Sequence, residues 1–126
     1  MADDPKEKPL VWIGASRRDF RGFPDEVKAN MGYALYVAQC GGRHRKAKIL
    51  KGFGGAGVVE IGDDHRGDTF RTVYTVRLAS AVYVLHAFQK KSKTGIATPK
   101  TEIRLIEQRL RDAEQLHEEN EHANKH

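Results

Sequence analysis

The sequence is poor in the features on which several classes of protein depend. It contains one cysteine, Cys40, so no disulfide can form within the chain. No stretch approaches the ~18 apolar residues that a membrane-spanning helix needs, and no apolar signal segment follows Met1. These absences predict a soluble, cytoplasmic protein. Because nothing near Cys40 in the sequence offers an activating His and Asp pair, its thiol is predicted to be structural and buried.

Several signatures of catalytic and cofactor sites are missing as well. The sequence has no paired-carboxylate site, no Cys and His spacing typical of a metal site, and no serine nucleophile motif. The run from Gly52 to Gly57 fits G-x-G-x-x-G, but a dinucleotide site needs a helix after that motif. Residues 58–61 are apolar and β-branched apart from Glu60, and they predict a strand instead. We therefore expect no cofactor and no metal ion.

Positive charge is present in excess and is unevenly distributed. The chain has 22 Lys and Arg against 17 Asp and Glu, a net charge of +5. Residues 1–98 hold 17 basic and 10 acidic side chains, whereas residues 99–126 hold 5 and 7. This balance favours phosphate-rich or acidic partners. The most basic run, residues 43–51, is either a solvated linker or a contact for a nucleic-acid backbone, and we favour the second interpretation.

Residues 69–93 predict two β-strands joined by a short turn. In the first strand the period of two places Arg71 and Arg77 on one face and an apolar set, including Phe70 and Tyr74, on the other. Arg71 should therefore point to solvent or to a ligand. The second strand, residues 81–88, is apolar on both faces, which predicts a central strand covered on both sides. His86 lies within it, and a buried polar ring there needs a partner or a function.

The rest of the chain completes one α+β domain with an antiparallel sheet. Residues 10–13 predict a first strand, residues 16–20 a helical turn, residues 24–40 a helix that ends at two glycines, and residues 98–116 a C-terminal helix. The expected order is strand, helix, three-stranded antiparallel meander, helix. Residues 1–9 are expected to form a flexible lead and residues 117–126 a disordered tail, leaving the domain at residues 10–116.

Two segments together resemble the RelE/ParE superfamily of bacterial toxins, specifically its HigB-like, phage-derived branch. They are FRTVYTV from Phe70 and VYVLHAFQKKSKTGIATPKTEI from Val82. The shared pattern is an Arg followed closely by an aromatic residue on one strand, Leu-His-x-Phe-x-Lys-Lys on the next, and Thr-Pro at the start of a helix. The resemblance covers roughly residues 10–110. It implies the RelE-like fold, in which an N-terminal helix packs across the sheet.

The resemblance also implies the toxin of a type II toxin-antitoxin system, a ribosome-dependent endoribonuclease that cleaves messenger RNA without a metal ion. Arg71 would stabilise the transition-state phosphate, Lys90 would be a second stabiliser or the general acid, and His86 would be the acid-base group. A satisfied core histidine is the open alternative for His86. The late tyrosine that some RelE-type toxins use has no counterpart after Tyr83. The expected RNA-binding residues are Lys48, Lys51, Arg66, Lys91 and Lys93.

The implied partners are a cognate helix-turn-helix antitoxin of the HigA kind and the ribosome with its messenger RNA. An acidic antitoxin segment on a basic surface is electrostatically reasonable. Two alternatives stay open. One is a ParE-like inhibitor of DNA gyrase with no nuclease activity. The other is a non-catalytic RNA-binding domain, which should display aromatic side chains for base stacking, whereas most aromatic residues of this sequence fit a core.

Overall fold

The protein folds as one five-stranded sheet with helices on both faces. The computed structural model describes residues 7–55, 57–90 and 97–123. The elements are β1 (Leu10–Trp12), α1 (Ser16–Arg21), α2 (Asp25–Gln39), β2 (Ala47–Ile49), β3 (Val58–His65), β4 (Asp68–Thr75), β5 (Val82–Lys90) and α3 (Lys100–Ala123). The strand order is β1-β5-β4-β3-β2, with β1 parallel to β5 and the other pairs antiparallel. The predicted α+β class is confirmed, and the arrangement is consistent with the RelE-like fold.

The alternation of side chains along the strands supplies two separate cores. On one face of the sheet, called here the α2 face, α1 and α2 cover Val59, Ile61, Phe70, Tyr74, Val82 and Val84. On the other, the α3 face, the C-terminal helix covers Val58, Val73, Tyr83, Leu85 and Phe88. Because β5 contributes to both cores and lies between β1 and β4, the prediction of a central strand covered on both sides is confirmed.

A β-bulge in β5 decides which way His86 points. Val73 of β4 pairs with His86, but the next residue, Tyr74, pairs with Val84, so Leu85 is the additional residue. Leu85 belongs to the α3-side core, and the His86 ring stacks on Phe88 of the same core. Strict alternation would place Leu85 and His86 on opposite faces. That expectation is wrong here, because the bulge puts both side chains on the α3 face.

A short edge strand within the basic run was not predicted. β2 pairs with β3, with Ala47 opposite Ile61 and Lys48 opposite Glu60. Ala47 is buried in the α2-side core while Lys48 is exposed. A strand of 3 residues is too short for its period to stand out among basic neighbours. The antiparallel part of the sheet therefore has four strands rather than three.

The C-terminal helix continues beyond Leu116, where the sequence placed the start of a disordered tail. α3 runs to Ala123. His117 holds this extension to the body, since its Nδ1 lies 3.0 Å from the Ser80 hydroxyl oxygen and its ring lies edge-on to Tyr83. No helix of the described ranges is long and apolar enough to cross a membrane.

Two further predictions, a flexible lead at residues 1–9 and a buried thiol at Cys40, differ from the structure. Residues 1–6 and 124–126 lie outside the described part of the chain, but Lys8 exchanges two hydrogen bonds with Gln39, so the lead is tied to the end of α2. Cys40 is only partly buried. Its side chain lies near Tyr36 and raises the pKa of that phenol.

Candidate active site

A row of charged side chains crosses the α3 face of the sheet. Strand pairing sets Lys48 of β2 opposite Glu60 of β3, and Glu60 opposite Val73, two residues from Arg71 on β4. The Arg71 Nη1 donates a hydrogen bond to Glu60 Oε1 at 2.5 Å, and the Thr98 hydroxyl donates to Glu60 Oε2 at 2.7 Å. Glu60, which forms this ion pair with an Arg of the neighbouring strand, is buried.

The Arg71 guanidinium keeps donors that no described group uses. Arg71 pairs with Gly62 on β3 and lies over it, at 3.5 Å between Nε and the position of an added Cβ. Its Nε is buried and has no hydrogen-bond partner within the described ranges. A buried donor without a partner costs about 1–3 kcal/mol.

An open groove of about 440 Å³, called here the Arg71 groove, lies where β2 no longer covers the edge of β3. Its charged lining consists of Arg45, Lys46, Lys48 and Arg71 together with Glu60, Asp63 and Asp64. All three carboxylates accept hydrogen bonds from side chains of the protein. Arg45 and Lys48, in contrast, form no ion pair with any residue that the structure describes. Among the described residues Asp64 accepts only from the neutral Thr69 hydroxyl, so two unpaired cations and one unpaired carboxylate line this groove, a net charge of +1.

Lys90 lies on the same sheet face as Arg71. It pairs with Thr69 while Arg71 pairs with Phe88, so the two cations are diagonal neighbours on adjacent strands, about 7–8 Å apart at Cα. Lys90 is 7% exposed. The fold thus brings Arg71 and Lys90 to one face of the sheet.

The other predicted RNA contacts lie at different places. Lys48 lines the Arg71 groove, whereas Lys51 is exposed in the loop after β2 and does not line it. Arg66 is exposed at the tip of the β3-β4 turn, with a positive φ of 50°. That turn is at the end of the sheet where Lys90 lies. Lys91 and Lys93 fall outside the described residues.

His86 shares the α3 face but turns towards α3. Its Nε2 lies 3.2 Å from Glu102 Oε1, and Arg109 Nη1 lies 3.0 Å from its Nδ1. The same Arg109 Nη1 donates to the Leu85 carbonyl at 3.1 Å. Because Arg109 can only donate, Nδ1 accepts, and the ring proton is assigned to Nε2, which donates to Glu102. Burial lowers the pKa of His86, against an opposing effect of Glu102.

These contacts favour the core-histidine interpretation of His86. The residue is 4% exposed, and both ring nitrogens have partners on α3. Its ring borders another opening, between α1 and α3, that shares no lining residue with the Arg71 groove. His86 is a diagonal neighbour of Arg71, as Lys90 is, because each lies two residues from Phe88, the partner of Arg71. The three residues therefore share one sheet face, but both ring nitrogens of His86 contact α3.

Tyr74 lies in the α2-side core, on the face that the period of two predicts for it. It is 1% exposed, and burial raises its pKa to about 12. Within the described ranges, no three His, Cys, Asp or Glu side chains come together as metal ligands would.

What sequence reasoning missed is the contact of Thr98 with Glu60. Thr98 and Glu60 are 38 residues apart along the chain, so no local pattern could indicate this contact.

Comparison with known families bears on this geometry. The sequence model described as "Phage derived protein Gp49-like (DUF891)" matches residues 18–111. The chain belongs to this Gp49-like family. The family is toxin-like and occurs in toxin-antitoxin systems, which implies an antitoxin partner. The match contains Arg71, His86 and Lys90, every residue predicted to act in catalysis. Neither the curated proteins nor the solved structures that were compared gave a match.

Proposed function

We propose that this Gp49-like protein is the toxin of a type II toxin-antitoxin system and that it cleaves messenger RNA on the ribosome. One observation carries the proposal, the placement of Lys48, Arg71 and Lys90 on a single sheet face with an open groove beside Arg71. Converging cations suit a reaction that builds negative charge on phosphorus. The family membership supports the toxin part of the proposal.

The proposed reaction is cleavage by the neighbouring ribose hydroxyl. The 2′-oxygen attacks phosphorus while its proton passes to a base, and the bond from phosphorus to the 5′-oxygen breaks as that oxygen takes a proton from an acid. The products are a 2′,3′-cyclic phosphate, or the 3′-phosphate formed from it by water, and a 5′-hydroxyl. In this proposal the charge of the pentavalent intermediate is balanced by side chains, without a metal ion.

Arg71 is proposed to bind the phosphate oxygens of the transition state, with Lys90 as second stabiliser or general acid. Glu60 would act as a positioning residue, because its carboxylate holds the Arg71 guanidinium in one orientation. His86 could serve as the acid-base group only if substrate binding separated it from Arg109, since Nδ1 accepts a hydrogen bond from that residue. Backbone phosphates on either side would contact Lys48, Lys51, Arg66, Lys91 and Lys93.

The antitoxin is proposed to be a HigA-like helix-turn-helix protein that covers the Arg71 groove with an acidic segment. The groove's uncompensated cations, Arg45 and Lys48, provide the complementary charge. Such a segment would compete with RNA for the same guanidinium. Neutralisation of the toxin and protection of Arg71 would then be one event.

The test is induced expression in a bacterial host followed by mapping of messenger-RNA 5′ ends. The variants are Arg71→Ala and Lys90→Ala, with Arg77→Ala as the matched control, because Arg77 is exposed just after β4 and does not line the Arg71 groove. We expect new cuts within translated frames that persist in the control and vanish in both other variants. Growth arrest without cuts would instead indicate the gyrase-inhibiting alternative, and no arrest would leave a basic binding domain.

A further inference from the structure

A second depression lies next to the Arg71 groove, on the side towards α2. Arg45 and Lys46 line this groove and also the second depression, which has a volume of about 250 Å³. The other walls of that depression are Asn30, Tyr33 and His44. Because the two depressions share these two cations, they are adjacent, and Arg45 and Lys46 lie between the candidate catalytic arginine and the exposed side of α2.

The second depression is lined by an aromatic pair that belongs to neither core. Tyr33 is 60% exposed, more than any other large apolar side chain of the described ranges. The His44 ring lies edge-on to it, at 5.7 Å between centroids and 89° between planes. The His44 Nδ1 accepts a hydrogen bond from the Lys46 backbone N–H at 3.1 Å, which fixes the ring. The prediction that most aromatic residues fit a core is confirmed, and Tyr33 is one of the exceptions.

The charges around this pair are suited to a polyanion. Lys46 is held in place by Asp63, at 3.2 Å between Nζ and Oδ1, and Asp63 also accepts from Asn30. Arg45 forms no ion pair within the part of the chain that the structure describes, and it is exposed. Cations that follow a groove and an aromatic face at its end are the two elements with which proteins bind single-stranded nucleic acid.

We propose that Tyr33 and His44 form a base-stacking subsite for single-stranded RNA whose backbone runs over Arg45 and Lys46 to the phosphate at Arg71. The inference rests on the proposed function and extends it, because it identifies a place for a nucleotide away from the cleaved bond. Single-stranded RNA is the appropriate ligand class, since its unpaired bases can turn outward onto an aromatic ring while its phosphates stay in the groove. The subsite would contribute affinity without taking part in the chemistry.

The experiment measures binding apart from cleavage. A fluorescein-labelled RNA oligonucleotide carrying 2′-O-methyl groups cannot undergo 2′-oxygen attack, so its dissociation constant with the full chain is measured by fluorescence anisotropy. Tyr33→Ala should weaken binding about tenfold, whereas Tyr33→Phe keeps the ring and should remain within about twofold. Tyr36→Ala is the control, because Tyr36 is also exposed on α2 but lines neither depression.

The possible results test the base-stacking subsite independently of the nuclease activity. If Tyr33→Ala binds as tightly as the unmodified chain, or loses no more affinity than Tyr36→Ala, the subsite is refuted even where Arg71-dependent cleavage is found. If Tyr33→Ala weakens RNA binding and Tyr36→Ala does not, the subsite is supported. If the expression experiment also shows no cuts in messenger RNA, the nuclease proposal is overturned while the subsite stands. Unchanged RNA affinity together with lost binding of the antitoxin would overturn the inference in favour of a protein contact.

Discussion

The Glu60 carboxylate holds the Arg71 guanidinium, at 2.5 Å between Oε1 and Nη1, while its other oxygen accepts from Thr98 just before α3. One buried acidic side chain therefore connects the candidate catalytic arginine to the segment that leads into the helix covering that face. Loss of Glu60 should affect both stability and activity, and the two effects can be measured separately.

Glu60→Gln should lower the free energy of unfolding by about 1–3 kcal/mol, because it removes the charge that compensates a largely buried guanidinium. Urea denaturation measures this change. The double variant Glu60→Gln with Arg71→Gln should lose less than the sum of the two single variants, since neither charge is then left alone. Strict additivity would show that the pair is not coupled.

Arg71→Lys should reduce RNA cleavage by about tenfold or more, although the positive charge is kept. Lysine lacks the planar fork with which arginine can bind two phosphate oxygens while it keeps its bond to Glu60. The measurement is single-turnover cleavage by purified protein on programmed ribosomes. Arg77→Lys, at an exposed position outside the groove, should retain full activity. Equal rates for the two variants would argue against a bidentate role of Arg71.

The buried state of His86 predicts a pH dependence of stability. Burial lowers its pKa below the ordinary 6.5, so the unfolded chain binds a proton at a higher pH than the native protein does. The contribution of His86 is fully present above pH 6.5 and is lost as the pH falls from there towards the native pKa, with a slope of up to about 1.4 kcal/mol per pH unit. His86→Gln should flatten this slope, whereas His122→Gln, at an exposed position of α3, should not.

The same variant distinguishes the two roles of His86. If the imidazole mainly joins β5 to α3, folded His86→Gln should keep RNA cleavage within about threefold of the unmodified protein, well short of the roughly 100-fold or larger loss expected for an acid-base group. The rate is measured per folded molecule, at a temperature well below the unfolding midpoint. A loss of 100-fold or more, with the pH profile of cleavage altered, would return His86 to the catalytic set.

Gly14 allows Arg109 to reach the bulge beside His86. Its φ is +56°, and an added Cβ would lie 3.0 Å from Arg109 Nε. Gly14→Ala should therefore destabilise the protein by about 1–2 kcal/mol through backbone strain and displacement of the guanidinium. Gly32→Ala is the matched control, since a Cβ there meets nothing within 4 Å and the residue lies inside α2. That change should stabilise by about 0.5–1 kcal/mol. Thermal unfolding of both variants gives the comparison.

Much of the candidate site could be predicted from local pattern. The β-branched and aromatic runs predicted β4 and β5, and two faces of apolar residues predicted that β5 is central. The period of two then set Arg71 away from Phe70 and Tyr74, as the two cores confirm. The roles of Arg71, His86 and Lys90 stay predictions, because geometry alone does not test them.

The sequence by itself determined the elements that depend on near neighbours, namely the amphipathic α2, the strands of the hairpin and the excess of positive charge on the domain. Only the tertiary structure decided the bulge at Leu85, the strand register that sets Lys48 opposite Glu60, and the ring contact between Tyr33 and His44. The physical reason is how far apart along the sequence the interacting residues lie. A period is imposed by residues two to four apart, whereas register and cross-element contacts depend on which distant surfaces bury each other best.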